Sequence, residues 1–227
     1  VSILDSLLKI WPLFGLRIVS PNLVMRLPTM EEYAKLAQLA AEVGVSNADE
    51  WTFAHPWNAK PSPEMERGML QHYCRKFVEW SATEGKWCLM LGIFYQDQII
   101  GMQDAWSRNP YPQALSAETG SWIARSFQGK RFGKEARGGI LHLFFDHLGA
   151  REMYSGAFKS NKASLAVSKY WGYQPNGVHL QTVEGKAGAQ SIKGLRITQW
   201  RWAYRSLQGY QVEGLEPCLP MFGLKSA

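Results

Sequence analysis

The sequence predicts an α/β fold in which a mixed sheet carries helices on its faces. Three observations carry that prediction. Short apolar runs of strand character alternate with amphipathic helical stretches, two long runs face each other across a two-residue turn, and glycine marks the helix ends.

LRIVS (16–20) and LVMRLPT (23–29) read as extended segments separated by Pro21 and Asn22. Thr29 precedes EEYAKLAQLAAEVG, a helix with acidic residues at its start and Gly44 at its end. SNADEWTFAHPWNAKPSP follows as an aromatic loop, and residues 64–82 return to helical periodicity. KWCLMLGIFY and QIIGMQDAW flank Gln96-Asp97 and read as a β-hairpin. LSAETGSWIAR (115–125) is a further strand. GKEARGGILHLFFDHLG then forms a helix with Ala136, Ile140, Leu143, Phe144 and Leu148 on its apolar side, ended by Gly149. EMYSGAF is a short strand, Asn161 caps the helix KASLAVSKYW, which stops at Gly172, and SIKGLRIT is a last strand followed by a helix from Gln199.

No repeat or linker divides the 227 residues, so one domain is expected over 1–227. Residues 1–15 form an N-terminal docking segment, since Ile3, Leu4, Leu7 and Leu8 lie at helical spacing. That face is suited to the body of the protein or to a second subunit in a homodimer. Residues 206–227 form a C-terminal extension. The first 14 residues are apolar but broken by Asp5 and Lys9, too short for a bilayer span and without a cleavage-site pattern, so no membrane role is expected.

Hydrophobic residues make up 46% and charged residues 19%, as in a globular chain with a substantial core; of ten tryptophans, several must line that core or a pocket. The net charge of +6 favours anionic partners such as phosphates, an acidic acyl carrier protein or nucleic acid. Nucleic acid ranks last, because the cations are scattered and no recognition motif accompanies them. Cys74, Cys88 and Cys218 form no CxxC, which fits a reducing, cytoplasmic compartment. His55, His72, His142, His147 and His179 form no ligand cluster, so no metal is expected, and His142 and His147 read as structural.

FQGKRFGKEA (127–136) is the most informative stretch. It places two glycines and three cations, Lys130, Arg131 and Lys134, at the start of a helix. The first N–H groups of a helix lack intrahelical partners and the helix dipole favours an anion there, so the local reading is a phosphate cradle. A Walker A loop is excluded because three residues, not four, separate the glycines and Glu135 follows Lys134; GxGxxG is absent. An ordinary basic helix start is the plainer alternative. Gly138 and Gly139 each weaken the helix by roughly 1 kcal/mol relative to alanine, which a close neighbour would explain.

GSWIARSFQGKRFGKEA, the apolar helix after it and NKASLAVSKYWGY together resemble the GNAT superfamily of acyl-CoA N-acyltransferases, in its RimJ/RimL-type branch. The similarity runs through residues 16–205 and is strongest over 118–177. WPLFGLRI and CLPMFG further resemble actinobacterial members, some of which transfer succinyl groups. The resemblance implies a mostly antiparallel sheet split near the coenzyme-binding strand, and acetyl-CoA or succinyl-CoA as acyl donor. It implies a pyrophosphate loop over Gln128, Gly129, Lys130, Arg131, Phe132, Gly133 and Lys134. Arg131 stands where the family usually has a glycine. Backbone groups around Trp122 and Ile123 would pair with pantetheine, and Asn161 and Ser164 would contact the coenzyme arm.

For the chemistry, Glu118 shares one strand face with Gly120 and Trp122; it matches the family's glutamate near the sheet split, and the resemblance makes it the candidate base, with substrate orientation or pairing with a cation as the rival roles. Ser168 stands where many members carry a tyrosine acid, leaving the acid open; Tyr170 and Tyr173 have a register that points towards core. Trp51, Phe53, His55 and Trp57 are expected to wall the acceptor pocket, with Gln103 as a further contact to acyl group or acceptor. A non-catalytic acyl-CoA sensor is the alternative that Arg131 and the missing tyrosine suggest.

Overall fold

The computed structural model describes residues 3–46, 52, 53, 55–183, 188–203, 205 and 207–225. Six helices and nine strands are formed among them. Helix α1 spans Ile3–Ile10, α2 Met30–Val43, α3 Glu64–Val78, α4 Phe132–His142, α5 Lys162–Tyr170 and α6 Gln199–Trp202. The strands are β1 (Arg17–Val19), β2 (Val24–Arg26), β3 (Cys88–Tyr95), β4 (Gln98–Ser107), β5 (Ser116–Ile123), β6 (Glu152–Phe158), β7 (Gln174–Thr182), β8 (Ala189–Thr198) and β9 (Gln211–Glu213).

Local chemistry explains the boundaries. Thr29 and Glu32 close a reciprocal capping box at the start of α2: Thr29 Oγ1 accepts from Glu32 N, and Thr29 N donates to the Glu32 carboxylate. Gln96 and Asp97, with φ of 49° and 63°, make the tight turn between β3 and β4. The Asn161 side chain accepts from Ser164 N at 3.0 Å and starts α5. Two corrections concern the helices. The stretch at 64–82 is helical only to Val78, and α4 passes after His142 into a π turn over Leu143–His147 before Gly149 ends it at φ 70°.

The strands form one sheet in the order β7-β8-β6-β5-β4-β3-β2-β1-β9. Every pairing is antiparallel except β5 with β6, which run parallel over only three residue pairs, from Ser116–Glu152 to Glu118–Tyr154. Thr119 Oγ1 donates to Tyr154 O at 3.1 Å and pins the two strands there. Beyond that point they part: β5 continues to Ile123 against β4 alone, and β6 continues to Phe158 against β8 alone. The result is a wedge-shaped opening in the middle of the sheet, edged by ladder groups that have no partner strand. Residues 211–222 complete the body, with β9 on the edge beside β1 and Cys218 and Phe222 buried in the core.

Two apolar layers cover the faces. Helix α4 packs on one, where Ile140 and Phe144 join Ile18, Met25, Leu91 and Ala105. Helices α2 and α3 cover the other, with Tyr33, Leu36, Met69 and Tyr73 against Met90, Phe94 and Met102. Close approach explains the Gly138-Gly139 pair: a Cβ on Gly138 would lie 2.4 Å from the Trp171 ring, and one on Gly139 2.5 Å from Met25 Cε. Gly138→Ala is therefore expected to destabilise the protein by about 1–3 kcal/mol despite alanine's better helix propensity, because the indole cannot retreat. Urea unfolding measures this directly.

Asp104 lies on the α2/α3 face of β4, its Oδ1 without a partner. Burial pushes its carboxyl up to about 7, partly opposed by Lys76. A folded pKa above the unfolded value means that the native state holds a proton which the unfolded chain releases. Asp104 thus costs stability as pH rises from about 4 through 7 and costs nothing below pH 4. Asp104→Asn is expected to raise stability on the order of 2 kcal/mol at pH 8, with no gain at pH 4.

Candidate active site

Strand β5 ends at the mouth of the wedge, and the chain there turns through residues 124–131 into α4. The turn is braced rather than loose. Gln128 Nε2 donates to Val45 O at 2.9 Å and Ile123 O at 2.8 Å, and Arg125 Nε donates to Val43 O at 2.8 Å. Gln128 therefore ties the turn to the end of α2 and points its amide inward.

Gly129 and Arg131 both take left-handed backbone, at φ 77° and 68°. Arginine thus holds the conformation glycine would supply, at a cost of roughly 1 kcal/mol. Alternating left-handed residues turn successive N–H groups to one side. Among the described residues, the amides of Gly129, Lys130, Arg131, Phe132 and Gly133 have no backbone acceptor, whereas Lys134 N and Glu135 N both donate to Arg131 O. Five free donors thus ring the positive end of an eleven-residue helix. Lys130 lies over the Phe127 ring at 5.3 Å and Lys134 over Tyr170 at 4.6 Å. Glu135 turns away, accepting from Ser20 Oγ, Asn22 N and Asn22 Nδ2, which keeps its charge out of the cradle.

Gly133 sits where three elements meet. A Cβ there would be 3.8 Å from both Ile123 Cδ1 and Val167 Cγ2, so the mouth of the wedge lies between β5, α4 and α5. Along α5, Ser164 is half-buried, Ser168 is 1% exposed, and Ser168 Oγ has no partner. Tyr173 is buried with Oη unpartnered. Tyr170, expected towards the core, is instead exposed, because its ring lies outside against Lys134. The Asn161 side chain is engaged by its cap and by a 3.4 Å bond from Nδ2 to Thr52 O.

On the other face of the sheet, Glu118 and Trp122 project as period-two alternation requires. Glu118 is half-buried at the apex of the wedge, across from Gly156: a methyl group there would lie 3.8 Å from Glu118 Oε1. Desolvation raises its pKa, with Arg108 and His179 acting in the opposite direction. The Trp122 ring packs at a tilt against Trp57, centroids 5.3 Å apart, and Trp57 likewise against Phe53 at 5.1 Å, so these three rings form one wall. His55 is exposed beside them. Trp51 lies outside the described residues.

Gln103 is not part of this face. Its side chain is fully buried on the α4 side of β4, donating to Gly120 O at 2.8 Å and Asp104 O at 3.1 Å. Sequence reasoning also missed groups that the fold brings to the wedge. Arg108 lies 4.1 Å over Tyr154, whose hydroxyl donates to Glu152, and Glu152 pairs with Arg196 at 2.8 Å. Arg137 is 3% exposed between the diverging strands. Period-two alternation on β5 and β6 would have placed Tyr154 beside Glu118, but only once their pairing was known.

The split sheet offers an unpaired strand edge, and the left-handed helix start beside it offers a set of backbone donors of the kind that suits an anion. Comparison makes the class specific. The acetyltransferase (GNAT) domain family matches residues 22–174, and the chain belongs to that family. Among solved structures, its fold is similar to RimL, the ribosomal L7/L12 alpha-N-protein acetyltransferase in complex with coenzyme A (TM-score 0.63, 18% identity, covering 79% of this chain and 96% of that one). It is also similar to Mycobacterium smegmatis RimJ in complex with CoA-disulfide (0.62, 15%, 90% and 91%) and to the microcin C7 self-immunity acetyltransferase MccE in complex with acetyl-CoA and AMP (0.63, 15%, 79% and 93%). Among the described residues no helix is long and apolar enough to cross a membrane, and no group of three or more His, Cys, Asp or Glu is placed to hold a metal.

Proposed function

We propose that the protein transfers an acyl group, acetyl or succinyl, from a coenzyme A thioester to a primary amine of a protein, peptide or small molecule. The observation that carries this reading is the wedge between β5 and β6 opening directly onto the free amides of Gly129–Gly133. The diphosphate would rest on those amides, with Lys130, Arg131 and Lys134 around it. The pantetheine arm would lie along the unpaired edge of β5 near Trp122 and Ile123, as an added strand does.

The amine would arrive from the Glu118–Trp122 face, against the rings of Phe53 and Trp57. A C–N bond forms as the lone pair attacks the thioester carbonyl, whose oxygen accepts from a β5 backbone N–H. Glu118 receives the ammonium proton, directly or through water. The C–S bond then breaks, and the departing thiolate accepts a hydrogen bond from Ser168 Oγ, which is buried and otherwise unpartnered. A serine hydroxyl is too weak an acid to protonate a thiolate fully, so the proton comes ultimately from solvent.

The test is amine-dependent release of free thiol from acetyl-CoA and succinyl-CoA, scanned over α-amino peptides, lysine peptides and small amines. Thiol release that rises with one amine class supports the proposal. Tight donor binding with no release from any class would favour a non-catalytic sensor.

A further inference from the structure

Among the described residues, no carboxylate pairs with Arg137. It stands on the second turn of α4, its side chain passes under the wedge, and it is 3% exposed. Its two terminal nitrogens reach opposite strands, 3.3 Å to Ser155 Oγ on β6 and 3.4 Å to Ser121 Oγ on β5, both long contacts to neutral hydroxyls. Nε has no partner. An arginine side chain stays charged inside proteins, and a buried charge left unpaired is costly.

The position narrows which anion could face the guanidinium. Glu118 lies on the opposite face of the sheet and interacts with Arg108 and His179. The free amides of Gly129–Gly133 precede Arg137 by four to eight residues at the helix start, whereas its terminal nitrogens are directed to Ser121 on β5 and Ser155 on β6. The space they face is the wedge itself, just beyond the Glu118–Tyr154 pair where the strands part.

Resting on the donor reading above, we propose that Arg137 selects the acyl group, and that the preferred donor is a short acyl thioester ending in a carboxylate. With the amine approaching from the Glu118 face, the substituent on the thioester carbonyl passes through the wedge to the α4 side. There a terminal carboxylate meets the guanidinium fork, which matches its geometry with two parallel N–H bonds. Ser121 and Ser155 hydroxyls flank that position, and the Tyr173 ring, whose hydroxyl is buried and unpartnered, lies 6.0 Å from the guanidinium carbon. Arg137 is thus a specificity residue, with no proton to move.

Calorimetric titration of the full chain with coenzyme A, acetyl-CoA, butyryl-CoA and succinyl-CoA tests this without knowing the acceptor. Wild type is expected to bind succinyl-CoA at least tenfold more tightly than butyryl-CoA. Arg137→Met should bring that ratio near one while coenzyme A itself binds within threefold of wild type, and Arg137→Lys should keep part of the preference. Equal affinity of wild type for succinyl-CoA and butyryl-CoA overturns the proposal, and needs no variant to fold. Uniform weakening of all four ligands by Arg137→Met, in a protein with an unchanged melting curve, also overturns it, since a simple brace between β5 and β6 would act that way. Failure of all four to bind instead removes the coenzyme reading on which it rests.

Discussion

Replacing Glu118 by glutamine is expected to lower the turnover number by about 10²–10⁴-fold, the range of general-base catalysis, and to leave coenzyme A affinity within about threefold. The split between the two effects follows from position. Glu118 sits at the closed end of the wedge on the face lined by Trp122, Trp57 and Phe53, away from the amides of Gly129–Gly133 that would hold the diphosphate. Under the proposed function, removing its charge would therefore affect the attacking amine and not the coenzyme. The pH profile gives a second signature. Desolvation raises the Glu118 pKa, while Arg108 and His179 limit the rise. Only the ionised carboxylate accepts a proton, so the wild-type rate should climb with pH through a midpoint above the ordinary carboxylate range. The glutamine variant should lose that limb. A variant that keeps both its rate and the limb would assign the base elsewhere.

The second large effect is expected from Gly133→Asp, with opposite signs for stability and binding. A Cβ at Gly133 has ordinary van der Waals room, 3.8 Å from Ile123 and Val167, and an acidic residue in the first turn of a helix is favourable by about 0.3–1 kcal/mol. The melting temperature should hold or rise. The same carboxylate would stand among the amides proposed to hold the diphosphate and would repel it, so coenzyme A affinity should fall at least about 100-fold; two close like charges near a protein surface cost several kcal/mol. Thermal melting and titration of one sample read both. Loss of affinity accompanied by loss of stability would mean that the turn had collapsed, and unchanged affinity would place the diphosphate elsewhere.

These residues show how far the sequence could be read. The hairpin at Gln96-Asp97, the capped starts of α2 and α5 and the glycine-rich start of α4 depend on neighbours in sequence, and local chemistry made them legible. β7 was missed because it has no alternation to detect: nearly all its residues are exposed, and Pro175 and Gly177 sit where its register against β8 shifts. β9 is three residues long and exists through its pairing with β1. Arg137 looks in sequence like a surface arginine on an amphipathic helix. Its burial follows from where β5 leaves β6, and that divergence joins residues more than thirty positions apart. The placement of Gln103 was hidden for a related reason. Alternation along β4 alone does not say which face meets the wedge, and the register with β5 puts its side chain opposite Ser121 under α4, on the face away from Glu118.

A diphosphate held at the start of α4, with the attached arm in the wedge, requires both parts of coenzyme A for full affinity. Parallel titrations with coenzyme A and with pantetheine, which shares the arm and lacks the phosphates, separate the two contributions. Micromolar binding of coenzyme A, with pantetheine at least about 100-fold weaker, is the predicted result. Equal affinities would contradict the cradle, and silence from both would contradict the ligand itself.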